Sequence, residues 1–184
     1  MKIIMLVVLA LGALAGLTFL YHHHFRTAPG GPVAHVRNEF SFTVQAPYRV
    51  TAPLFGPEGE RAWAGGHWDP RFLYPQPAQD TAGAVFTIQH GHHHAYWVNT
   101  AFDIDARHFQ YVYVMPDVMA TLIDVRFSEI DAANTKVNVA YERTALTPDA
   151  NQHVLDAGNS DRNNGKEWGT AINDCLAKQK AASR

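Results

Sequence analysis

Four of the chain's eleven histidines stand together in His90-Gly91-His92-His93-His94, the densest concentration of chemistry in the sequence. Two or three imidazoles aimed at one point bind Zn, Cu or Ni. Side chains of a hairpin alternate in direction, so this spacing lets His92 and His94 share a face while His93 opposes them. No HExxH pattern accompanies the cluster, and a solvated hairpin tip also accounts for it. Metal ligation by His90, His92 and His94 is therefore expected to be weak at most. A second run, His22-His23-His24, follows an apolar leader and suits a polar collar at a membrane interface, with metal binding as the sharper alternative. The single cysteine, Cys175, rules out an intrachain disulfide and a Cys-based metal site. No cofactor is expected.

General acid–base chemistry needs a titratable pair beside a cavity. His67, Asp103, Tyr111, Tyr113 and Arg143 are the candidates, but no spacing among them selects a mechanism. There is no nucleophile elbow, P-loop or GxGxxG pattern, so no catalytic residue is assigned. Fifteen Lys and Arg balance 17 Asp and Glu at a net charge of −2, without a basic block, which argues against a nucleic-acid partner. Protonating all eleven histidines would take that charge from −2 to +9, so the surface charge is steeply pH-dependent just below neutrality.

The elements that must position these residues are mainly strands. From Gly83 to Leu146, β-branched and aromatic residues alternate with period two, in segments separated by turn residues. One face of these segments carries Trp97, Asn99 and Ala101, then Phe109, Tyr111 and Tyr113, then Thr121, Ile123, Val125 and Phe127, then Val137, Val139 and Tyr141. The opposite face of the last two is wet, as in an antiparallel sheet covered on one side. Asn38–Ala46 is a further strand with Phe40, Phe42 and Val44 on one face. Two short helices follow, over Tyr48–Phe55 and, with Pro57 in its first turn, Gly56–Trp63. Toward the C-terminus a short helix is expected at Asn151–Asp156, then a break at Ala157–Ser160. A long helix capped by Ser160 then runs to about Lys180. Trp168, Ile172, Cys175 and Leu176 form its apolar stripe, with Cys175 a buried, inert thiol.

FSFTVQAP at residues 40–47, LFGPEGERAW at 54–63, HWDP at 67–70 and VNVAYERTAL at 137–146 occur in that order. Their order and spacing resemble the START-like (SRPBCC) superfamily of Bet v 1, polyketide cyclase and lipid-transfer relatives. The likeness covers about Asn38 to Ala177, and the LFGPEGERAW…WDP piece looks like a bacterial subset. It implies an α+β helix-grip fold, with a curved antiparallel sheet wrapped around the C-terminal helix and a cavity between them. It transfers no catalytic residue, because the superfamily shares no catalytic motif. One helix is about 10–12 Å across and a six-stranded sheet is wider, so apolar surface is left for the short helices or a ligand. The expected lining is Trp97, Phe109, Tyr111, Tyr113, Tyr141 and Trp168, with Asn99 and Arg143 as placed polar groups. The expected partner is a hydrophobic small molecule or lipid, with a cyclase/dehydratase-like enzyme in the same cavity as the alternative and histidine-based metal handling as a third reading. The sequence leaves the oligomeric state open.

The expected division is an anchor at Met1–His24, a linker at Phe25–Arg37 and the START-like domain at Asn38–Ala181. Ile3–Leu20 is uncharged and follows Lys2, so at ~1.5 Å per residue it nearly matches a ~30 Å bilayer core. An uncleaved, single-pass anchor in a bacterial inner membrane is expected, with the domain in the periplasm; cleavage near Ala15 is the alternative. A topology reporter fused after Arg184 should be active only outside the cytoplasm. Cytoplasmic activity, or release of the protein by carbonate, would contradict the anchor.

Overall fold

The computed structural model describes residues 31–91 and 93–183. The expected anchor and the collar His22–His24 lie outside them. From Val33 onward the chain forms one compact unit. Seven antiparallel strands form a single sheet in the order β1-β7-β6-β5-β4-β3-β2. They are β1 (His35–Val44), β2 (Arg71–Tyr74), β3 (Val85–His90), β4 (His93–Asp103), β5 (His108–Met115), β6 (Met119–Asp131) and β7 (Asn134–Ala145). A longer loop joins β2 to β3, and short turns explain the meander from β3 to β7. At the last of them Asp131 accepts from the Ala133 amide at 2.7 Å and from the Asn134 side chain, an Asx-type closure. Strand β1 starts three residues before the expected Asn38, because pairing with β7 extends back to His35↔Thr144.

Between β1 and β2 lie α1 (Tyr48–Thr51), a 3-10 turn (Ala52–Phe55) and α2 (Pro57–Glu60). The alternation predicted for β5, β6 and β7 is observed, with Phe109, Ile123, Val125, Val137 and Val139 buried on the concave face. In β4 a register shift between Asn99 and Ala101 turns Phe102, rather than the expected Ala101, toward Phe109. At one end of that face the interior is solid aromatic packing. The Phe102 and Phe109 rings stack at 4.1 Å, and Phe127 meets Phe109 at 5.1 Å and Phe55 at 5.0 Å.

The C-terminal region departs from expectation. It is one continuous helix, α3 (Asn151–Ala182), with no break at Ala157–Ser160. Ser160 does not cap a helix; its hydroxyl donates back to the Asp156 carbonyl at 3.2 Å, inside the helix. Gly158, which reads as a breaker in the sequence, is buried because the helix lies close against β1 there. A Cβ at Gly158 would sit 3.0 Å from Val36 Cγ2, one at Gly165 3.2 Å from Phe40, and one at Gly169 3.3 Å from the Phe42 Cβ. Tertiary packing thus outweighs the weak intrinsic propensity of these glycines. The buried face is Val154, Gly158, Asp161, Gly165, Gly169 and Ile172, rather than the expected stripe. Of that stripe only Ile172 is buried; Trp168 and Leu176 are partly buried and Cys175 is half-exposed.

Asparagines fix this seating. Asn151 accepts from the Ala34 amide at 2.6 Å, and Asn38 donates to the Gly158 carbonyl at 3.0 Å. Asn173 accepts from the Gln45 amide at 2.8 Å and donates to the Thr43 carbonyl at 3.1 Å, occupying the free edge of β1. Beneath the helix, Arg143 of β7 makes a two-pronged ion pair with Asp161, at 2.7 and 3.1 Å, with both side chains buried. Burial, the largest single influence, opposes the Arg143 charge, but the Asp161 hydrogen bonds, the Asp161 charge and the neighbouring Tyr113 and Tyr141 together outweigh it and raise its proton affinity. Removing one partner would leave a buried unpaired charge, at about 3–5 kcal/mol.

Candidate functional site

A seven-stranded sheet spans about 29 Å at ~4.8 Å per strand, and α3 lies over its β1 end. The concave surface of β3, β4 and β5 is left to the short helices and to open space. That space has two parts. A narrow inner part of about 40 Å3 reaches between Phe55, Phe86, Ile123 and Val125. An outer chamber of about 390 Å3 opens to solvent beside α3. Glu60, Trp68, Trp97, Tyr141 and Trp168 border both parts. All four tryptophans of the chain, Trp63, Trp68, Trp97 and Trp168, border the outer chamber.

The floor is a row of stacked rings. Phe86 and Trp97 lie 5.7 Å apart at 17°, Trp97 and Tyr113 4.3 Å apart at 25°, and Tyr113 continues toward His90 at 6.5 Å. Trp168 and Trp63 form the opposite wall at 5.5 Å, and Trp68 stands edge-on to Trp97 at 5.5 Å. Two of the indoles are locked by backbone: Trp63 donates to the Leu54 carbonyl at 2.6 Å and Trp68 to the Pro57 carbonyl at 2.9 Å. Trp97 is different. It is 6% exposed, and its Nε1 has no partner among the described residues; neither has His90 Nε2. A buried donor left unpaired costs about 1–3 kcal/mol.

Besides Trp63 and Trp68, the bordering residue missing from the expected lining that bears most on chemistry is Glu60. Helix α2 delivers it, and two glycines make that possible. A Cβ on Gly59 would lie 1.8 Å from the Pro53 carbonyl oxygen, and one on Gly56 would collide with the Asp80 carboxylate at 2.2 Å. Only bare backbone lets the chain fold back this tightly. Asp80 then accepts from the amides of Glu58 and Gly59, at 2.9 and 3.2 Å, and holds the start of α2. Glu58 pairs outward with Arg61 at 3.0 Å, while Pro57 and Glu60 turn inward. Glu60 is 9% exposed, and its carboxyl forms no hydrogen bond or ion pair with a described residue. Burial, reinforced by the Asp80 carboxylate, holds its carboxyl well above the usual range. The inward spacing Pro57–Glu60–Ala64, set against the outward Glu58–Arg61 pair, is the signal that would have found it.

The expected lining residues separate into three groups. Trp97, Tyr113, Tyr141, Arg143 and Trp168 border the outer chamber, and Tyr111 borders the inner part. Tyr111 spends its hydroxyl on the Phe55 carbonyl. Arg143 is not a free polar group: Asp161 takes its fork, and its Nη1 donates to the Tyr113 hydroxyl at 2.7 Å. Phe109 belongs to the solid aromatic end and borders neither part, and neither does Asn99. Asn99 is fully buried and donates to the Thr81 carbonyl at 3.2 Å.

The histidines are divided by the strand register. His90 pairs with His93 and Gln89 with His94, so His90 lies on the concave face and His94 on the convex one. His90 and His94 therefore cannot share a ligand site, and His92 lies outside the described residues. His67 joins His90 at the outer chamber. Burial, with His67 adding to it, lowers the proton affinity of His90. Asp103 is exposed and accepts from the Ala106 amide in the β4–β5 turn, away from the chamber.

This architecture defines a helix-grip domain with a cavity between sheet and helix. Norcoclaurine synthase from Thalictrum flavum, solved in complex with dopamine and hydroxybenzaldehyde, has the same fold. Its TM-score is 0.59 at 8% identity, over 79% of this chain and 88% of that one. An uncharacterized protein from Rhizobium leguminosarum matches at a TM-score of 0.55 and 19% identity, over 80% and 97% of the two chains. CalU16 from Micromonospora echinospora matches at 0.52 and 13%, over 80% and 88%. No protein-family model matches the chain, and no curated protein sequence matches it. At these identities the likeness shows the fold.

Glu60 gives the domain a pH signature of defined sign. A carboxyl with a raised folded-state value stabilises the fold fully below its unfolded value of about 4.3, and that contribution is lost as pH rises through the folded value. Asp80 is raised too, and His90 is lowered with the opposite sign, but both are present in a Glu60→Gln variant. The unfolding free energy of wild type relative to Glu60→Gln should therefore fall as pH rises above about 5. Denaturant titrations at several pH values check this; a difference that stays constant, or grows, would contradict the raised Glu60 carboxyl.

Proposed function

We propose that this domain binds a compact hydrophobic small molecule in the chamber between the sheet and α3. The observation that carries the reading is the convergence of all four tryptophans on one open space of about 390 Å3. Ligand sites are typically concave, aromatic-walled and of about 300–1,000 Å3, with few polar groups. Rings stacked on a strand floor offer flat surface with little rotamer entropy to lose. The narrow inner part, about 40 Å3, favours a short ring-bearing molecule over a long-chain lipid. Norcoclaurine synthase, with dopamine and hydroxybenzaldehyde bound, supports the reading that this fold accepts small ring compounds.

A second reading, an enzyme of the cyclase/dehydratase kind in the same cavity, draws support from Glu60, a buried carboxyl that meets the ligand space. It would show as ligand conversion that Glu60→Gln abolishes. We further propose, from the apolar run Ile3–Leu20, that the domain is tethered at the periplasmic face of a bacterial inner membrane. Among the described residues no helix is long and apolar enough to cross a membrane.

The uncharged fluorophore N-phenyl-1-naphthylamine tests the binding reading. It should bind saturably, one per chain, with enhanced emission and a dissociation constant near micromolar, about −8 kcal/mol. Trp168→Ala should weaken it at least tenfold. Because Trp168 is only partly buried, the variant should lose less stability than the ~3–5 kcal/mol of a fully buried ring. Absence of saturable binding, or a Trp168→Ala variant that binds unchanged, would contradict the proposal.

A further inference from the structure

Glu60 has no structural task that explains it. The Arg143–Asp161 pair joins sheet to helix, Asp80 holds the start of α2, and Arg61 ties Glu58 to Asp69 at 3.0 and 2.9 Å. Glu60 does none of this. It is buried and borders both parts of the cavity, and its carboxyl has no hydrogen-bond or ion-pair partner among the described residues. A buried carboxyl kept only for packing would be replaced at little loss by an apolar residue, since an unpaired polar group is costly.

We propose that Glu60 is the polar recognition group of the cavity, donating a hydrogen bond to an acceptor oxygen on an uncharged, ring-bearing ligand and disfavouring carboxylate ligands. The inference rests on the binding reading and names its ligand class. The charges around the cavity explain why. The one arginine bordering the chamber, Arg143, is committed to Asp161 and Tyr113. The neighbour that acts on Glu60 electrostatically is the Asp80 carboxylate. Glu60 thus has no cation to ionise against, and in its neutral form it carries one O–H donor. A carboxyl held neutral by an apolar site is a strong donor to a carbonyl-type oxygen. An anionic ligand would bring a second negative charge toward Asp80 without a free cation to meet it.

His67 and His90 also border the outer chamber. His90 resists protonation for reasons of burial, so at neutral pH it adds no fixed positive charge. The walls supply shape: Trp97 and Trp168 border the space that Glu60 also borders, and the Trp97 Nε1 is a second donor without a partner among the described residues. Glu167, which also borders the chamber, adds a further carboxyl on that side, so the site combines donors and rings with acidic groups and suits a flat, uncharged molecule with an accepting oxygen.

Three probes of nearly equal shape separate the terms: 2-ethylnaphthalene, 2-acetylnaphthalene and 2-naphthoate, titrated at pH 7 against wild type, Glu60→Gln and Glu60→Leu. Wild type should bind the acetyl probe at least tenfold tighter than the ethyl probe, and naphthoate most weakly. Glu60→Gln, whose amide still donates, should keep much of the acetyl preference, and Glu60→Leu should abolish it. The infrared carbonyl stretch of bound 2-acetylnaphthalene gives an independent readout that needs no Leu variant. It should move to lower frequency in wild type, as a hydrogen-bonded carbonyl does. An acetyl-to-ethyl ratio near one in wild type, or a ratio that survives in Glu60→Leu, would overturn the role of Glu60 while leaving cavity binding intact. So would a stretch moved to higher frequency. Failure of all three probes to bind wild type would remove the binding reading, and this inference with it.

Discussion

The close seating of α3 on β1 is the constraint on which the rest of the structure depends. Gly158, Gly165 and Gly169 bring the helix within about a van der Waals contact of Val36, Phe40 and Phe42. Asn151, Asn38 and Asn173 fix the height of the helix along the strand. Because α3 is drawn to that end, a single helix cannot also cover β3, β4 and β5. The uncovered area is what α1, α2 and the tryptophans enclose. The cavity is thus a consequence of where the helix is held, rather than of a gap in packing.

The same arrangement separates stability from function. The Phe102, Phe109, Phe127 and Phe55 end is solid and supplies apolar burial at roughly 25 cal/mol per Å2. Of the three buried side-chain atoms left unpaired among the described residues, Trp97 Nε1 and His90 Nε2 belong to residues at the opposite end, where the Glu60 carboxyl also lies, and the third, Asn99 Oδ1, lies off the chamber. Native interiors pair nearly all such groups, so two unpaired donors or acceptors at one chamber are a mark of a site. The Arg143–Asp161 pair marks the border, and by giving its last strong bond to Tyr113 it removes the only arginine that would otherwise attract an anion.

Much of this was legible in the sequence, and what was hidden is of one kind. Period-two alternation from Val85 to Ala145 revealed the strands and which side chains turn inward, because strand geometry is local. The order of FSFTVQAP, LFGPEGERAW and VNVAYERTAL revealed the helix-grip arrangement. The continuity of α3 was not legible, since Gly158 and Ser160 look like breakers until Val36 and Asn38 are seen against them. The partner of Arg143 lies 18 residues away on another element, and nothing in local spacing points to Asp161. Glu60 was missed because the four-residue helix offers only the brief Pro57–Glu60–Ala64 spacing, which is easily passed over beside the outward Glu58–Arg61 pair. His90 and His94 were grouped by proximity in sequence, and the β3–β4 register divides them.

The most direct test of the account uses the four indole N–H resonances in a 15N-labelled domain. All four tryptophans border the proposed ligand chamber, so each is a local reporter. Titration with an uncharged naphthyl ligand should shift these resonances together and saturably, with Trp97 and Trp168 moving most, while amides of the convex face around Tyr96 and Val112 stay in place. Indole resonances that remain fixed while convex-face amides shift would contradict a ligand site between the sheet and α3.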